Sequence, residues 1–259
     1  MGSPTVMSWA KEHGFWNPEE GPFDFAAAYT RNDERDRVYN DPRVWIMQKH
    51  LNPSVEQPVD DGRNFEVYLT PEKPITVDDL KALMRNHYDM SEHDPYQFGL
   101  RGDEPWRPIS VFRTYESHIM QVRPWLPQAI GCLIHLAFGM ADLSVYLPFY
   151  QGLEAVPQHY GCGTDHCDRR SVYWKFRRLQ TLVMTDYADL APRMAAFEAE
   201  FVKLHAEDEK AAAKLLNDFN LRVLAEGEEL CETLLDDCFT KRTTDIQEAV
   251  YFRNRKAKD

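Results

Sequence analysis

Apolar residues recur at helical spacing in the last third of the chain. The pattern places hydrophobic side chains along one face of successive helices. We expect Pro192 to end the first of these helices, because proline cannot donate the next backbone hydrogen bond. The pattern predicts a helical layer over residues 171–252. The apolar positions are Val172, Phe176, Leu179, Val183 and Tyr187, then Met194, Phe197, Phe201 and Leu204, then Leu216, Phe219 and Val223, and finally Leu230, Leu234 and Cys238.

The middle of the chain has the pattern of β-strands. Asn64–Leu69 alternates apolar and polar residues, which predicts a strand with one solvated face. Strands are also expected within Ser110–Val122, Gly131–Phe138 and Val145–Tyr150, which proline and glycine separate from one another. Since no helical pattern lies between these three, the sequence indicates antiparallel strands, and 64–150 forms a strand-rich core.

The preceding region mixes helical and irregular patterns. Val6–Glu12 predicts a short helix that ends at Gly14. Residues 17–61 have no sustained period, so we expect long loops with short helical turns inside a loop-rich entry over 1–63. A second helix begins at the capping box of Thr76 and Asp79 and should end near Met90. Its apolar stripe consists of Leu80, Leu83, Met84, His87 and Tyr88.

Strands that precede helices indicate an α+β fold, here predicted as one domain over 1–259. The predicted sheet has few strands and many bulky aromatic residues. We therefore expect the chain to pair with another copy of itself or with a separate piece.

Composition limits the partners and the compartment. A hydrophobic content of 43% with 28% charged residues is typical of a soluble protein, and no run of 18 apolar residues suggests a membrane span. The first residues lack the features of a signal peptide. A net charge of −12 argues against nucleic acid and anionic membranes as partners. Five scattered cysteines favour a reducing compartment, so a cytoplasmic location is predicted.

Several sequence blocks together resemble the dipeptidase A and secernin family of cysteine-type dipeptidases. The clearest lie within Arg107–Leu179, and a weaker one is Phe197–Leu204. Their joint order carries the resemblance, since each block alone is short. The blocks are Ala10–Trp16, Phe23–Tyr29, Leu83–Tyr88, Arg107–Pro127, Tyr146–Gly152 and Ser171–Leu179.

The resemblance implies an N-terminal nucleophile hydrolase with a four-layer αββα sandwich. It implies hydrolysis of short peptides, chiefly dipeptides, with no metal or other cofactor. In this class the first residue of the mature chain attacks the substrate carbonyl, and its own α-amino group serves as the base. With a reference pKa of about 8, that amine suits proton transfer near neutral pH.

The sequence departs from this pattern at its start, Met1-Gly2-Ser3. Removal of Met1 exposes Gly2, which has no nucleophile, and the first cysteine, Cys132, lies in a predicted strand. We therefore expect this chain to be the C-terminal portion of the fold, with the nucleophile on an N-terminal segment that is missing from it. The catalytic residue is unassigned. The alternative is a non-catalytic interaction or scaffold protein derived from that fold.

Three residues are candidates for substrate binding. Arg107, Arg113 and His118 are expected on one predicted hairpin, together with Glu116 and Arg123. The resemblance implies an arginine near the nucleophile that binds the charged end of the substrate, and a planar guanidinium can hold a carboxylate with two hydrogen bonds. The alternative is an ordinary salt-bridged sheet surface. The partner predicted for this site is a short peptide.

The segment 159–167 contains residue types that bind zinc: His159, Cys162, Asp165, His166 and Cys167. Its cysteines are separated by four residues, and no second pair of ligands follows at zinc-finger spacing. An ordinary loop is therefore favoured over a metal site or a reactive thiol. No metal is predicted for this chain.

Overall fold

A computed structural model describes residues 2–30, 33–59, 65–89, 91–96, 105–205 and 216–256. It divides into two compact units. Unit 1 comprises Met1–Ile75 and Trp106–Pro108, and unit 2 comprises Thr76–Pro105 and Ile109–Asp259. The fold is α+β, as predicted. None of the described helices is long and apolar enough to cross a membrane.

Unit 1 contains four helices among its described residues, joined by irregular segments. Helix α1 matches its predicted bounds, and α4 is longer than the short turns expected over 17–61. Pro42 at the start of α4 favours this helix, because proline at the first turn needs no hydrogen-bond partner. The helices are α1 (Val6–Glu12), α2 (Phe25–Tyr29), α3 (Asp36–Tyr39) and α4 (Asp41–Leu51).

The strand predicted over Asn64–Leu69 is wrong for the described residues 65–69, and Asn64 lies outside them. Val67 is 82% exposed and Tyr68 is 87% exposed, so the alternation does not create a buried face. The carbonyl of Glu66 accepts a hydrogen bond from the side chain of Gln48 at 2.7 Å. Alternation alone does not make a strand when no neighbouring strand pairs with the segment.

Unit 2 is built around a three-stranded antiparallel sheet in the order β1–β2–β3. The register pairs Glu116 with Phe138 and Val122 with Cys132, and Leu136 of β2 pairs with Leu147 of β3. The predictions for β2 and β3 are confirmed to within two residues. The elements are α5 (Val77–Arg85), β1 (Glu116–Val122), α6 (Gln128–Gly131), β2 (Cys132–Phe138), β3 (Leu147–Tyr150), α7 (Val172–Val183), α8 (Tyr187–His205) and α9 (Leu216–Lys256).

Helices cover both faces of this sheet. Ile119 and Ala137 point to one face, where Leu80 and Met84 of α5 pack against them. On the opposite face Phe138 stacks on Phe176 of α7, with 5.9 Å between ring centroids. The stripe predicted for α7 is confirmed, because its apolar residues are buried in the main core.

Helix α9 approaches the sheet closely at Gly227. A methyl group on Gly227 would lie 2.6 Å from the Cδ2 atom of Leu147, whose side chain is fully buried. The absence of a side chain at this position therefore allows the helix to pack directly on β3.

Two predicted helix ends are wrong. Pro192 lies inside α8, and the break falls about two turns earlier, where the backbone N–H of Asp186 donates to the carbonyl of Val183. The end predicted near Met90, a residue outside the described ones, falls instead at Arg85. Asn86 leaves the helix with extended backbone angles, and its side chain accepts a hydrogen bond from the N–H of Tyr88 at 3.0 Å.

Replacing Gly139 by alanine should lower the free energy of unfolding of unit 2 by about 3 kcal/mol. Gly139 has φ of +73°, which disfavours a residue with a side chain, and the added methyl group would lie 2.8 Å from Nε2 of Gln180. Urea denaturation measures the change. Gly163→Ala is the matched control, because nothing lies within 4 Å of the added methyl group. Equal stability of the two variants would contradict the predicted crowding.

Candidate functional site

A buried histidine lies at the centre of a polar cluster in unit 2. His87 lies two residues after the end of α5 and is 5% exposed. The next residue, Tyr88, has φ of +64°, a left-handed conformation that is uncommon outside glycine. Hydrogen bonds from Ser91 to the carbonyl of Tyr88 and from Tyr88 to Asn86 hold this turn. The local fold therefore directs the His87 ring into the protein.

Both ring nitrogens of His87 have polar partners. Nδ1 lies 2.9 Å from a carboxylate oxygen of Asp94, and Nε2 lies 2.8 Å from Asp89 and 2.9 Å from the hydroxyl of Tyr187. The Tyr187 hydroxyl in turn donates to the carboxylate of Asp142. These contacts connect the segment after α5, the loop after β2 and the start of α8.

The surroundings of His87 favour its charged form. Burial by itself would lower its pKa, but hydrogen bonds with Asp89 and Asp94 and the charge of Asp142 outweigh this effect and raise the pKa to about 10. Burial raises the pKa of Asp142 and also that of Tyr187. A cationic imidazole with both N–H groups engaged cannot accept a proton. The geometry therefore suits a positioning role for His87 better than that of a general base.

Replacing His87 by glutamine should change how the stability of unit 2 depends on pH. A pKa raised from 6.5 to about 10 stabilises the folded state fully below pH 6.5, and this contribution is lost as the pH rises toward 10. Between pH 6.5 and about pH 8.5 the wild type should lose roughly 2–3 kcal/mol relative to His87→Gln, at about 1.4 kcal/mol per pH unit. Urea denaturation at both pH values measures this. His118→Gln, at an exposed site, is the control and should follow the wild type. Parallel profiles for wild type and His87→Gln would contradict a charged His87.

The three predicted substrate-binding residues occupy different places. Arg107 belongs to unit 1, where its guanidinium lies 5.9 Å from the centre of the Tyr39 ring. Arg113 and His118 belong to unit 2. Arg113 is exposed and lies in the turn before β1, not on a strand as predicted, because β1 begins at Glu116. His118 is exposed on β1 and hydrogen-bonds to Glu116 at 3.0 Å.

Residues of the 159–167 loop have separate partners. His159 contacts Glu228 at 2.6 Å, and His166 contacts Asp165 at 2.8 Å. The thiol of Cys162 lies 3.9 Å from a carboxylate oxygen of Asp168, and Arg170 also pairs with that carboxylate. The side chains of this loop that could bind zinc therefore contact different neighbouring residues.

Among the described residues, the side chains of Asp186, Asp189 and Asp245 form the one cluster close enough to share a metal ion. Lys241 contacts both Asp189 and Asp245, and Arg242 contacts Asp186. Since these basic side chains already neutralise the carboxylates, the cluster fits a surface salt-bridge network better than a cation site.

A cleft of about 440 Å³ lies within unit 1. Lys49 on its wall donates to the carbonyls of Pro53 and Val55, and the indole of Trp45 donates to the carbonyl of Gln57. These hydrogen bonds stabilise the segments that line the cleft.

The sequence prediction missed the His87 cluster as a polar site. It placed His87 on the apolar stripe of α5, which ends before that residue. The short spacing of His87, Asp89 and Asp94 is a visible local signal, but Asp142 and Tyr187 are distant in sequence. They come together through the hydrogen bonds of Tyr187, at the start of α8, to His87 and to Asp142 in the loop after β2.

Comparison with known proteins identifies the family. The profile of peptidase family C69 matches residues 1–200. A probable dipeptidase of Salmonella dublin is 51% identical over 165 residues, which cover 64% of this chain and 37% of that protein. A probable dipeptidase A of Streptococcus pyogenes serotype M3 is 32% identical over 62% of this chain and 35% of its own length. Dipeptidase A of Lactobacillus helveticus is 24% identical over 85% of this chain and 48% of its own length.

The chain spans about a third to a half of the length of these curated relatives. The resemblance noted in the sequence blocks is confirmed, since the relatives are named dipeptidases or probable dipeptidases and the family profile covers most of the chain. The chain belongs to peptidase family C69.

Proposed function

We propose that this chain forms part of a cysteine-type dipeptidase that hydrolyses the peptide bond of short peptides. The observation that carries the proposal is its 51% identity over 165 residues to a probable dipeptidase. In the proposed reaction a cysteine thiolate attacks the substrate carbonyl and the amine product leaves. Water then hydrolyses the resulting thioester, which releases the acid and restores the thiol.

The two buried cysteines of this chain are poor candidates for that nucleophile. Burial raises the pKa of Cys231 to about 12 and also raises the pKa of Cys238, so both remain protonated near neutral pH. The thiol of Cys162 donates toward a carboxylate oxygen of Asp168, 3.9 Å away. We therefore assign the nucleophile to the part of the family fold that this chain does not cover, as an N-terminal cysteine with its α-amino group as the base.

We propose that Arg113 binds the carboxylate of the substrate. Its guanidinium is exposed, whereas Arg107 is partly buried against Tyr39 and His118 is hydrogen-bonded to Glu116. Arg107 and His118 remain secondary candidates for the same role. The complete enzyme is proposed to have the αββα sandwich, a cytoplasmic location, and an assembly with a second copy or with a chain that supplies the N-terminal half.

The test is a dipeptide hydrolysis assay on two samples. The first is this chain alone. The second is this chain co-expressed with the part of the Salmonella dublin relative that lies outside the matched 165 residues. We expect turnover only in the second sample. Robust turnover by the chain alone would contradict the assignment of the nucleophile and would make Cys162 and Cys167 the candidates for it. A stable complex without turnover would favour the alternative, a non-catalytic interaction or scaffold protein.

In the active sample, Arg113→Met should raise KM for dipeptides by about 10- to 100-fold, as expected for the loss of a charged hydrogen bond. Arg113→Lys should have an intermediate effect, because a lysine keeps the charge and loses the paired geometry. Steady-state kinetics measure both variants, and Arg169→Met, at another exposed arginine, serves as the control. An unchanged KM in Arg113→Met would remove Arg113 from the site.

A further inference from the structure

Strand β1 lies at one edge of the described sheet and pairs only with β2. Two hydrogen bonds at its ends show which residues face β2: Gly139 donates to the carbonyl of Tyr115 at 2.7 Å, and Arg123 donates to the carbonyl of Gly131 at 2.6 Å. Backbone groups of successive strand residues point to opposite sides. The N–H and C=O groups that point away from β2 therefore belong to Glu116, His118, Met120 and Val122.

The same edge carries exposed apolar side chains. Met120 is 64% exposed and Val122 is 68% exposed, on the face opposite to α5. Tyr115 before the strand and Trp125 after it are 77% and 76% exposed. We call β1 together with these two aromatic residues the β1 edge. An apolar strand edge with unpaired backbone groups is a favourable template for an added strand.

Within the part of the chain that the structure describes, two common protections against strand addition, proline and a β-bulge, are absent from strand β1. It contains no proline, and its seven residues pair with β2 in one uninterrupted register, so no bulge bends it away. Of its four polar side chains, Glu116 and His118 hydrogen-bond to each other, Ser117 to Tyr146 and Gln121 to His135. The edge is therefore suited to pairing with a further strand.

We infer that the β1 edge receives a strand from the polypeptide that corresponds to the uncovered part of the family fold. The choice of this partner rests on the proposed function. The matched 165 residues account for 37% of the length of the Salmonella dublin relative, so most of that relative lies outside the matched region. If the sheet of the complete fold has more strands, the open, apolar edge at β1 is where they would be added.

A second copy of this chain fits the edge less well. The antiparallel self-pairing that uses all seven residues of β1 is centred on Ile119. On the face that carries Met120 and Val122, it places His118 opposite Met120 and Glu116 opposite Val122, so each apolar side chain of that face meets a polar one. Cross-strand pairs of this kind add little stability compared with apolar pairs.

The test uses this full chain, tagged, and the part of the Salmonella dublin relative outside the matched region as the probe. Size-exclusion chromatography with light scattering should show a one-to-one complex after co-expression. Hydrogen exchange should show protection of the β1 amides of His118, Met120 and Val122 in the complex and rapid exchange of these amides in the free chain.

Met120→Pro is the discriminating variant. It removes an outward N–H and leaves the hydrogen bonds to β2 in place, because proline is tolerated where the N–H of an edge strand faces solvent. We expect about a 100-fold loss of affinity with little change in the melting of the free chain. Met120→Ala keeps the N–H and is the matched control. Val122→Lys, which keeps the backbone intact, should weaken the complex by about 10-fold and covers the case in which the proline variant fails to fold.

Three results would overturn the inference. The first is a complex in which the β1 amides stay unprotected. The second is a folded Met120→Pro variant that binds as tightly as the wild type. The third is self-association of the free chain that Met120→Pro abolishes, which would make a second copy the occupant. A complex that protects β1 but does not hydrolyse dipeptides would leave the inference intact and contradict the proposed function.

Discussion

Replacing Gln180 by leucine is expected to lower the free energy of unfolding of unit 2 by about 3–5 kcal/mol. The Gln180 side chain is completely buried. It donates to the carbonyls of Phe138 at 2.8 Å and Leu143 at 3.1 Å, and it accepts a hydrogen bond from the N–H of Met140 at 3.2 Å. Leucine fills a similar volume but leaves these backbone groups buried without a partner, at a cost of about 1–3 kcal/mol each.

Urea denaturation of the wild type and the variant measures this change. Thr181→Ala, on the exposed side of the same helix, is the matched control and should change the stability by less than about 1 kcal/mol. Gln180→Glu should also be strongly destabilising, because the carboxylate loses the donor that holds Phe138 and Leu143. A loss below about 1 kcal/mol for Gln180→Leu would show that the loop after β2 finds other partners.

The second large loss of stability is expected from Arg177→Met. Arg177 is 7% exposed, donates to the carbonyls of Phe112 and Thr114, and lies 4.7 Å from the centre of the Phe112 ring. Methionine would leave both carbonyls without their donor and remove the cation–π contact. We expect a loss of about 3–5 kcal/mol, together with faster hydrogen exchange in the segment that leads into β1.

The neighbouring arginine provides the control for this experiment. Arg178 is partly exposed and lies 3.9 Å from Glu232, so Arg178→Met should cost less than about 1 kcal/mol. Since Arg177 holds the turn that contains Arg113, the reconstituted Arg177→Met enzyme should also show a raised KM. If the two arginine variants were equally stable, Arg177 would not be the residue that fixes this turn.

Local patterns predicted those elements whose signals are complete within a short stretch of sequence. The capping box of Thr76 and Asp79 is confirmed by reciprocal hydrogen bonds, and β2 is confirmed over its whole length. The end of α5 was predicted too late in the chain, near Met90 and not at Arg85, because it depends on the backbone turn at Asn86 and Tyr88.

The buried polar residues of α7 show why the rest was not predictable. The apolar stripe predicted for α7 does not include Arg177 or Gln180, but both are buried because segments distant in sequence place carbonyl groups next to them. The His87 cluster depends in the same way on Asp142 and Tyr187. The family could be predicted because the residues that resemble it lie in contiguous sequence blocks. The His87 cluster could not, because its residues come together only in the folded chain.

The contact between Gly227 and Leu147 links two positions that should vary together among relatives. A relative with alanine at the position of Gly227 has room for the methyl group only if the residue at the position of Leu147 is smaller, for example valine. The two substitutions should be non-additive in a double-mutant cycle, with the pair more stable than the sum of the single changes implies. The distance between α9 and the sheet therefore depends on the residues at both positions together, and neither residue sets it alone.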